Sequence, residues 1–198
     1  MTAEHRDASA GTVRDTARAA ADSAREAAPL RRVAEAAQEA TAAYSPDEPR
    51  PLGGYVATMG TFGVAVTAIG AAAAASGHRF PERTSWSDVA LITLATHKLT
   101  RIITKDSIAS PLRAPFTRYK GVSGPGELAE EVREHGGIRH SVGELLTCPF
   151  CLAVWVGTGF TIGLAVAPRT TRAAATTMTA VFGSDVLQFL YARLEQSE

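Results

Sequence analysis

The stretch from Gly143 to Phe160, GELLTCPFCLAVWVGTGF, decides how this chain is interpreted. It lies in an uncharged run of 24 residues, Leu145 to Pro168, that is long enough to cross a lipid bilayer as a helix. Pro149 is expected at the first helical position, where its missing N–H costs nothing. Cys148 would then cap the helix, and Cys151 would follow within its first turn.

Composition and charge narrow the class of protein. The 198 residues include as many acidic as basic side chains, and a net charge of zero gives no indication of a nucleic-acid partner. The hydrophobic fraction of 45% is ordinary, but apolar residues gather in uncharged runs while the first 50 residues carry many charges. The first 20 residues lack the apolar core of a signal peptide. We therefore expect an integral membrane protein inserted through internal segments.

Residues 1–52 are predicted to be a cytoplasmic tail that ends in a proline-rich linker. The tail is rich in Ala, Arg and Glu, and pairs such as Arg18 with Asp22 favour local helix. It has almost no bulky apolar residues that could dock such a helix, so we expect it to be disordered or partly helical. An amphipathic arm lying on a membrane or a partner is the alternative.

The remaining body, residues 53–193, predicts an all-α fold, an integral membrane bundle of about four transmembrane helices. The expected helices cover about 53–77, 88–104, 145–168 and 173–192, with a polar cytoplasmic connector at 105–144. The first is uncharged and contains several glycines, which suits close helix packing in lipid. Within the connector, residues 125–135 are expected to form a short charged helix. Between the last two helices, residues 168–172 are expected to form a tight turn.

The second of these helices, 88–104, is the least apolar. Only nine residues separate Asp88 from Lys98, which is too few for a span by hydropathy alone. As a helix, however, it has one apolar side, a threonine-rich side and basic residues near its end. We favour a span with its polar side turned into the bundle over a helix lying flat at the interface.

The distribution of Lys and Arg predicts the orientation. Four basic residues flank the two short loops, and ten lie on the side of the tail, connector and C-terminus. The four are Arg79, Arg83, Arg169 and Arg172; the ten are Arg31, Arg32, Arg50, Lys105, Arg113, Arg118, Lys120, Arg133, Arg139 and Arg193. By the positive-inside rule, both termini and the connector are expected in the cytoplasm. The protein is thus expected to be a multi-pass protein of the inner (cytoplasmic) membrane.

An intramembrane charge pair follows from this orientation. Asp185 and Lys98 are each expected to lie about 10–12 Å below the cytoplasmic ends of their helices. Because a lone charge there costs about 2.5–3.5 kcal/mol, we expect Asp185 to meet Lys98, with Arg101 and His97 as neighbours. Alternatively, Asp185 lies nearer the interface and needs no partner.

Basic residues of the connector predict a cytoplasmic patch formed by Lys105, Arg113, Arg118 and Lys120. Such a patch attracts the anionic lipid headgroups of the cytoplasmic leaflet. It could equally bind a phosphorylated small molecule or a cytoplasmic protein. The simplest alternative is that these charges only fix the topology.

Three stretches, THKLTRIITKDSIASPLRAPF, YKGVSGPGELAEEV and GELLTCPFCLAVW, together resemble the bacterial membrane proteins grouped as domain of unknown function 1360. The resemblance covers about residues 86–191, and the tail to Leu52 lies outside it. The residues at positions that match the family pattern are His97, Lys98, Arg101, Thr104, Lys105, Asp106, Pro111, Arg113, Pro115, Cys148, Pro149 and Cys151. The resemblance implies a small integral membrane protein and brings no established activity, substrate or cofactor.

Cys148 and Cys151 allow three interpretations. A Cys-Pro-x-Cys turn at a helix start is the arrangement used by thiol–disulfide enzymes. One such turn is also half of a tetrahedral zinc site, which His135 and His140 or a second copy could complete. The third interpretation is structural, with both cysteines acting as small buried residues that help the helix begin.

Sequence patterns for phosphate-binding loops, dinucleotide fingerprints, nucleophile elbows and zinc-protease helices do not occur in this chain. We therefore predict a scaffolding or interaction role, and homo-oligomers are expected from the glycine-rich faces. The alternative is a membrane thiol–disulfide oxidoreductase using Cys148 and Cys151. A transporter that uses the Asp185–Lys98 pair is a more distant alternative.

Overall fold

The computed structural model describes residues 28–29, 31–47, 50–78, 84–133 and 136–196. The chain divides into two compact units, Met1–Arg50 and Pro51–Glu198. In the first unit, the described residues 28–29 and 31–44 form a helix, α1, whose side chains are mostly exposed. The predicted tail before residue 28 lies outside the described residues.

The second unit is mostly helical and contains one small sheet. Its elements are α2 (Leu52–Ala75), α3 (Trp86–Lys105), a 3₁₀ turn (Ser107–Ala109), α4 (Ser110–Arg113), β1 (Thr117–Gly124), β2 (Glu127–Val132), α5 (Gly137–Thr147), α6 (Pro149–Val166) and α7 (Pro168–Glu195). The predicted helices 53–77 and 88–104 correspond closely to α2 and α3.

Proline sets two helix boundaries differently from the prediction. The predicted helix 145–168 is wrong at its start, because α5 continues to Thr147 and α6 begins only at Pro149. Cys148 between them is extended, as a residue before proline tends to be. The predicted turn over 168–172 is also wrong, since α7 begins at Pro168 and the connection from α6 is the single residue Ala167.

The connector contains a β-hairpin, so the all-α prediction is wrong there. β1 and β2 pair antiparallel, and β2 occupies the residues for which a charged helix over 125–135 was predicted. Pro125 and Gly126 form the turn, where Gly126 adopts a φ of +74°. A Pro-Gly pair suits this turn because proline presets its own φ and glycine tolerates a positive one.

Two helices of the described residues, α2 and α6, are long and apolar enough to cross a membrane. Helices α3 and α7 are long enough but carry more charged and polar side chains. The predicted four-span bundle is thus supported at a coarser level, as a mostly helical fold with two candidate spans.

Helix α3 lies at the centre of the helical packing, against both α6 and α7. Its Thr96 side chain lies beside Gly157 of α6, at 3.7 Å from where a Cβ at that glycine would be. On the other side, Thr179 of α7 donates a hydrogen bond of 3.1 Å to the Leu91 carbonyl. Helix α2 packs mainly on α5 and reaches α6 where Phe62 meets Trp155, with ring centroids 4.9 Å apart.

The contact between α2 and α5 depends on Gly54. A Cβ at this position would lie 2.8 Å from the Gly137 carbonyl and also collide with Ser141, whereas a Cβ at Gly53 would meet nothing within 4 Å. We expect Gly54→Ala to destabilise the protein by about 1–3 kcal/mol through overpacking. Gly53→Ala, the matched control, should be neutral or stabilising by up to about 1 kcal/mol because alanine is the better helix former. Thermal unfolding of the two purified variants in detergent measures the difference, and equal shifts would contradict the close contact.

Candidate functional site

Charged side chains from α3, α7 and the connector converge at the C-terminal end of α3. We call the folded connector, described at residues 106–133 and 136–147, the cap. It contains the 3₁₀ turn, α4, the hairpin and α5, and it begins directly where α3 ends. The site therefore joins the helical packing to the cap.

Arg113 is the anchor of the cap, and its side chain is fully buried. It donates to both carboxylate oxygens of Glu130, through Nη2 at 2.8 Å and Nε at 3.0 Å. The same guanidinium donates to the carbonyls of Ile103 (2.8 Å) and Asp106 (3.1 Å). Carbonyls at a helix end have no partner within the helix, so Arg113 satisfies the end of α3 while it holds β2.

Glu130 is the acidic partner and is almost completely buried. Although burial alone would raise the pKa of Glu130, hydrogen bonds from Arg113 and Thr117 and the Arg113 charge together hold it below its ordinary value of 4.5. The Thr117 hydroxyl lies 2.7 Å from the Glu130 carboxylate. The carboxylate is therefore ionised at neutral pH, and the buried charge of Arg113 is compensated.

A second ion pair fixes the tip of the hairpin to α3. Arg101 donates to both oxygens of Glu127, through Nε at 2.9 Å and Nη2 at 2.6 Å. Beside it, the Ser107 N–H donates to the Gly126 carbonyl at 3.2 Å. The hairpin is thus held at its turn as well as at Glu130, which defines its position on the end of α3.

The structure brings Lys98 and Asp185 together, with Nζ 2.8 Å from the Asp185 carboxylate. Lys98 is 13% exposed and also lies 3.9 Å from the carboxylate of Asp106 in the cap. The expected neighbours of Asp185 have other partners: Arg101 binds Glu127, and the His97 ring packs edge-on against Phe182 at 5.1 Å. Lys98 therefore links α7 to the first residue of the cap.

The predicted basic patch is only partly on the surface. The inclusion of Arg113 is wrong, because it is buried and neutralised by Glu130. Lys120 is half exposed and forms an ion pair with Glu131 on the neighbouring strand. Arg118 is exposed and Lys105 is partly buried. Two of the four predicted charges are therefore already paired within the cap.

Cys148 and Cys151 occupy the predicted places at the start of α6. Cys148 Sγ accepts a hydrogen bond from the Cys151 N–H at 3.2 Å, so it is the N-cap of the helix. Both cysteines are free thiols with Sγ atoms 2.6 Å apart, and Cys151 is exposed. The pair can interact as thiols or present two sulfur ligands.

The described residues provide no third ligand for a metal near this pair. No three His, Cys, Asp or Glu side chains within the described ranges are grouped closely enough to hold an ion. His140 instead lies 3.3 Å from Glu144, which also accepts a hydrogen bond of 2.7 Å from Tyr55. His135, the other predicted ligand, lies outside the described residues.

Sequence reasoning missed Glu127, Glu130 and the ion pair between Asp88 and Arg172. Asp88, at the opposite end of α3, is bound by Arg172 of α7 through two hydrogen bonds of 2.8 Å. The signal for the two glutamates was the Pro125-Gly126 turn between two short β-like segments, which indicates a hairpin. Nothing in the sequence indicated the Asp88–Arg172 pair, which depends on how α7 packs on α3.

These features define a class: a small, mostly helical protein with two candidate membrane spans and a cap folded onto a central polar helix. A family model described as protein of unknown function (DUF1360) matches residues 91–191, and the chain belongs to this family. Over 83 residues the chain is 32% identical to Sporulation protein YjcA of Bacillus subtilis (strain 168), covering 41% of this chain and 70% of that protein. The search of solved structures found no match.

The Arg113–Glu130 pair makes the stability of the cap sensitive to low pH. Since the folded pKa of Glu130 is lowered, its contribution is complete above the ordinary value of 4.5 and is lost as the pH falls through the folded value. We expect Glu130→Gln to cost about 3–5 kcal/mol at neutral pH, because it leaves the buried Arg113 charge uncompensated. Below about pH 4.5 the stability of the variant should also fall less than that of the wild type, because the variant lacks the carboxyl group that is protonated there.

Unfolding in detergent at a series of pH values measures both effects. Glu131→Gln is the matched control, because Glu131 is an exposed partner of Lys120 and such pairs contribute about 0–1 kcal/mol. If Glu130→Gln and Glu131→Gln have the same stability and the same acid response, Arg113 and Glu130 do not anchor the cap.

Proposed function

We propose that this protein is a four-span protein of the cytoplasmic membrane whose cap is a cytoplasmic interaction platform. In this proposal α2, α3, α6 and α7 cross the membrane, and both termini lie in the cytoplasm. The cap is a scaffold that presents a fixed surface to a protein partner.

The exposed apolar surface of α2 supports the membrane part of the proposal. Val56, Met59 and Val64 are 69%, 73% and 71% exposed. Each square ångström of such surface costs about 25 cal/mol in water, and the cost disappears in lipid. A helix of 24 residues without a charge also has the length that a bilayer requires.

The charge pairing between α3 and α7 supports their inclusion as spans. The two helices run in the same direction, with Asp88 against Arg172 near one end and Lys98 against Asp185 further along. Paired charges are the form in which ionisable groups occur inside membranes. The 28 residues of α7 extend about 42 Å, which exceeds a hydrocarbon core of about 30 Å.

Exposed apolar side chains on the ordered cap are the observation that carries the interaction role. Five large ones are more than half exposed: Ile108, Leu112, Tyr119, Val122 and Ile138. Ion pairs to Arg113 and Arg101 hold the hairpin that carries two of them. Large apolar side chains exposed on a folded surface are groups that a protein partner can bury.

The second candidate function is thiol–disulfide exchange. It is favoured by the direct contact between the Sγ atoms of the two free thiols and by the exposure of Cys151. The redox proposal predicts that Cys151→Ser leaves Cys148 able to trap a partner as a mixed disulfide visible without reductant. The relative's name, Sporulation protein YjcA, specifies neither a binding partner nor a thiol reaction and favours neither candidate.

A zinc site, anionic lipids at the basic patch and self-association are weaker extensions of the proposal. Two thiolates supply half of a tetrahedral zinc site, so a second copy would have to supply the rest. At the patch, Arg118 and Lys105 are the predicted residues without a carboxylate partner among the described residues. The interaction platform depends on none of these three.

Site-specific photocrosslinking in the full-length protein tests the proposed function. With a photoreactive residue at Ser123, next to the exposed Val122, we expect a protein adduct of defined mass. Val122→Asp should abolish that adduct, because a charge at the centre of an apolar contact must be desolvated. The control variant Glu131→Gln should leave both the adduct and the membrane location of the protein unchanged.

A photoreactive residue at Met59 provides the matched control for the site of crosslinking. Met59 lies on the exposed face of α2 and should yield lipid adducts instead. The interaction role would be contradicted if Ser123 gave the same products as Met59, or if Val122→Asp left a protein adduct intact.

A further inference from the structure

The β-hairpin of the cap has one face that remains exposed at its open end. Side chains alternate along a strand, and Arg118 lies directly opposite Glu131 in the register of the two strands. Arg133 follows two positions after Glu131, and all three side chains are exposed. Lys120 reaches the same face through its ion pair with Glu131. We call these four residues the outer face of the hairpin.

The opposite face of the hairpin is used by the fold. Thr117 and Glu130 alternate with the residues of the outer face, and Thr117 donates a hydrogen bond of 2.7 Å to the Glu130 carboxylate. Glu130 binds Arg113, which in turn donates to the Ile103 carbonyl at the end of α3. The outer face therefore points away from the end of α3. In the proposed topology it is turned away from the membrane and toward the cytoplasm.

Arg133 is held in place although it is exposed. Its Nη2 donates to the carbonyls of Ala114 at 3.1 Å and Thr117 at 3.2 Å. Beside it, Nη2 of the exposed Arg139 donates to the Pro115 carbonyl at 3.0 Å. The Nε and Nη1 groups of Arg133 make no hydrogen bond within the described residues and can donate to another acceptor. Because the side chain is already fixed, a partner would need to order it little further.

Basic charges exceed acidic charges on the outer face. Lys120 is neutralised by Glu131, whereas Arg118 and Arg133 have no carboxylate partner among the described residues. The two arginines that anchor the cap are, by contrast, both paired with glutamates. The outer face thus keeps two guanidinium charges that the described fold does not neutralise. Guanidinium groups bind carboxylates well, because two parallel N–H groups can donate to the two oxygens.

We propose that the outer face binds an acidic segment of a protein partner, whose carboxylates lie on Arg118 and Arg133. This inference gives the partner of the interaction platform its chemistry, so it rests on the proposed function. The direction of the face favours a cytoplasmic protein over lipid headgroups. A second copy of this chain docked through the same face would bring like charges together, which disfavours self-association here.

Fluorescence anisotropy of a labelled oligoglutamate peptide, titrated with the full-length protein in detergent, tests the acidic partner. We expect saturable binding that weakens as salt rises from about 0.1 M to about 1 M, because the Debye length falls from about 10 Å to about 3 Å. Arg118→Gln and Arg133→Gln should each weaken binding about two- to fivefold, the effect of losing one exposed ion pair. Arg118→Glu combined with Arg133→Glu should weaken it about tenfold or more, because like charges then repel.

Arg169→Gln is the matched control for these variants. Arg169 is also an exposed arginine, but it lies in the first turn of α7, outside the cap. This variant should bind the peptide as the wild type does. Thermal unfolding in the same detergent shows whether each variant remains folded. Arg118→Gln is the safest of them, because Arg118 makes no side-chain hydrogen bond or ion pair within the described residues.

Three outcomes would overturn the acidic partner. The first is a peptide that does not bind the wild type, or that binds the double charge reversal equally well. The second is an equal loss of binding in Arg169→Gln. The third is binding of a labelled short-chain phosphatidylglycerol in place of the peptide, with loss in the same variants, which would assign the outer face to lipid headgroups.

The photocrosslink from Ser123 separates this inference from the proposed function. If Val122→Asp abolishes the protein adduct and the double charge reversal of Arg118 and Arg133 leaves it unchanged, the platform stands and the acidic partner is wrong. An adduct that persists in Val122→Asp contradicts the proposed function itself. Loss of the adduct in both variants is the result that we expect.

Discussion

The fold depends on neutralising a charged helix at its centre. Helix α3 packs against both α6 and α7, yet it carries Lys98 and Arg101 and ends in carbonyls without helical partners. Lys98 is paired by Asp185 of α7, and Arg101 is paired by Glu127 of β2. Lys98 is largely buried, and an uncompensated charge there would cost several kcal/mol, so its partner on α7 helps to determine where α3 can lie.

Because those partners come from different parts of the chain, the helices and the cap stabilise each other. The hairpin supplies Glu127 for Arg101 and Glu130 for Arg113, and Arg113 in turn satisfies the carbonyls at the end of α3. Loosening the cap would therefore expose charges on α3. The same connections hold the cap in one orientation, which is what a platform for a protein partner requires. Beside the turn at Ala167, by contrast, packing between α6 and α7 depends on glycine and threonine, because a Cβ at Gly163 would lie 2.7 Å from the Thr171 hydroxyl.

Local rules predicted part of this arrangement from the sequence. Uncharged runs located α2 and most of α6, and the preference of proline for the first helical position placed Cys148 as the cap of α6. The Lys98–Asp185 contact was predicted from the cost of lone charges together with helix rise. That reasoning required only the two helices to be side by side, which the structure shows.

The errors arose where a local rule competed with tertiary structure. The charges of Glu127 to Glu131 suggested a solvated helix, but the Pro125-Gly126 turn and the buried Arg113 make this segment a strand. Arg113 was assigned to a surface patch because sequence position alone does not show burial. The same holds for Asp88 and Arg172, which are 84 positions apart and meet only because α7 lies along α3.

A double-mutant cycle on Lys98 and Asp185 tests the central claim most directly. Lys98→Met and Asp185→Asn should each destabilise the protein in detergent by about 1–3 kcal/mol, because each removes the 2.8 Å contact between the two charges. The double variant should recover most of the loss, since both charges are then absent, so that it is less destabilised than either single variant. Strictly additive losses would show that the two residues act independently and that α3 does not depend on this pair for its place in the fold.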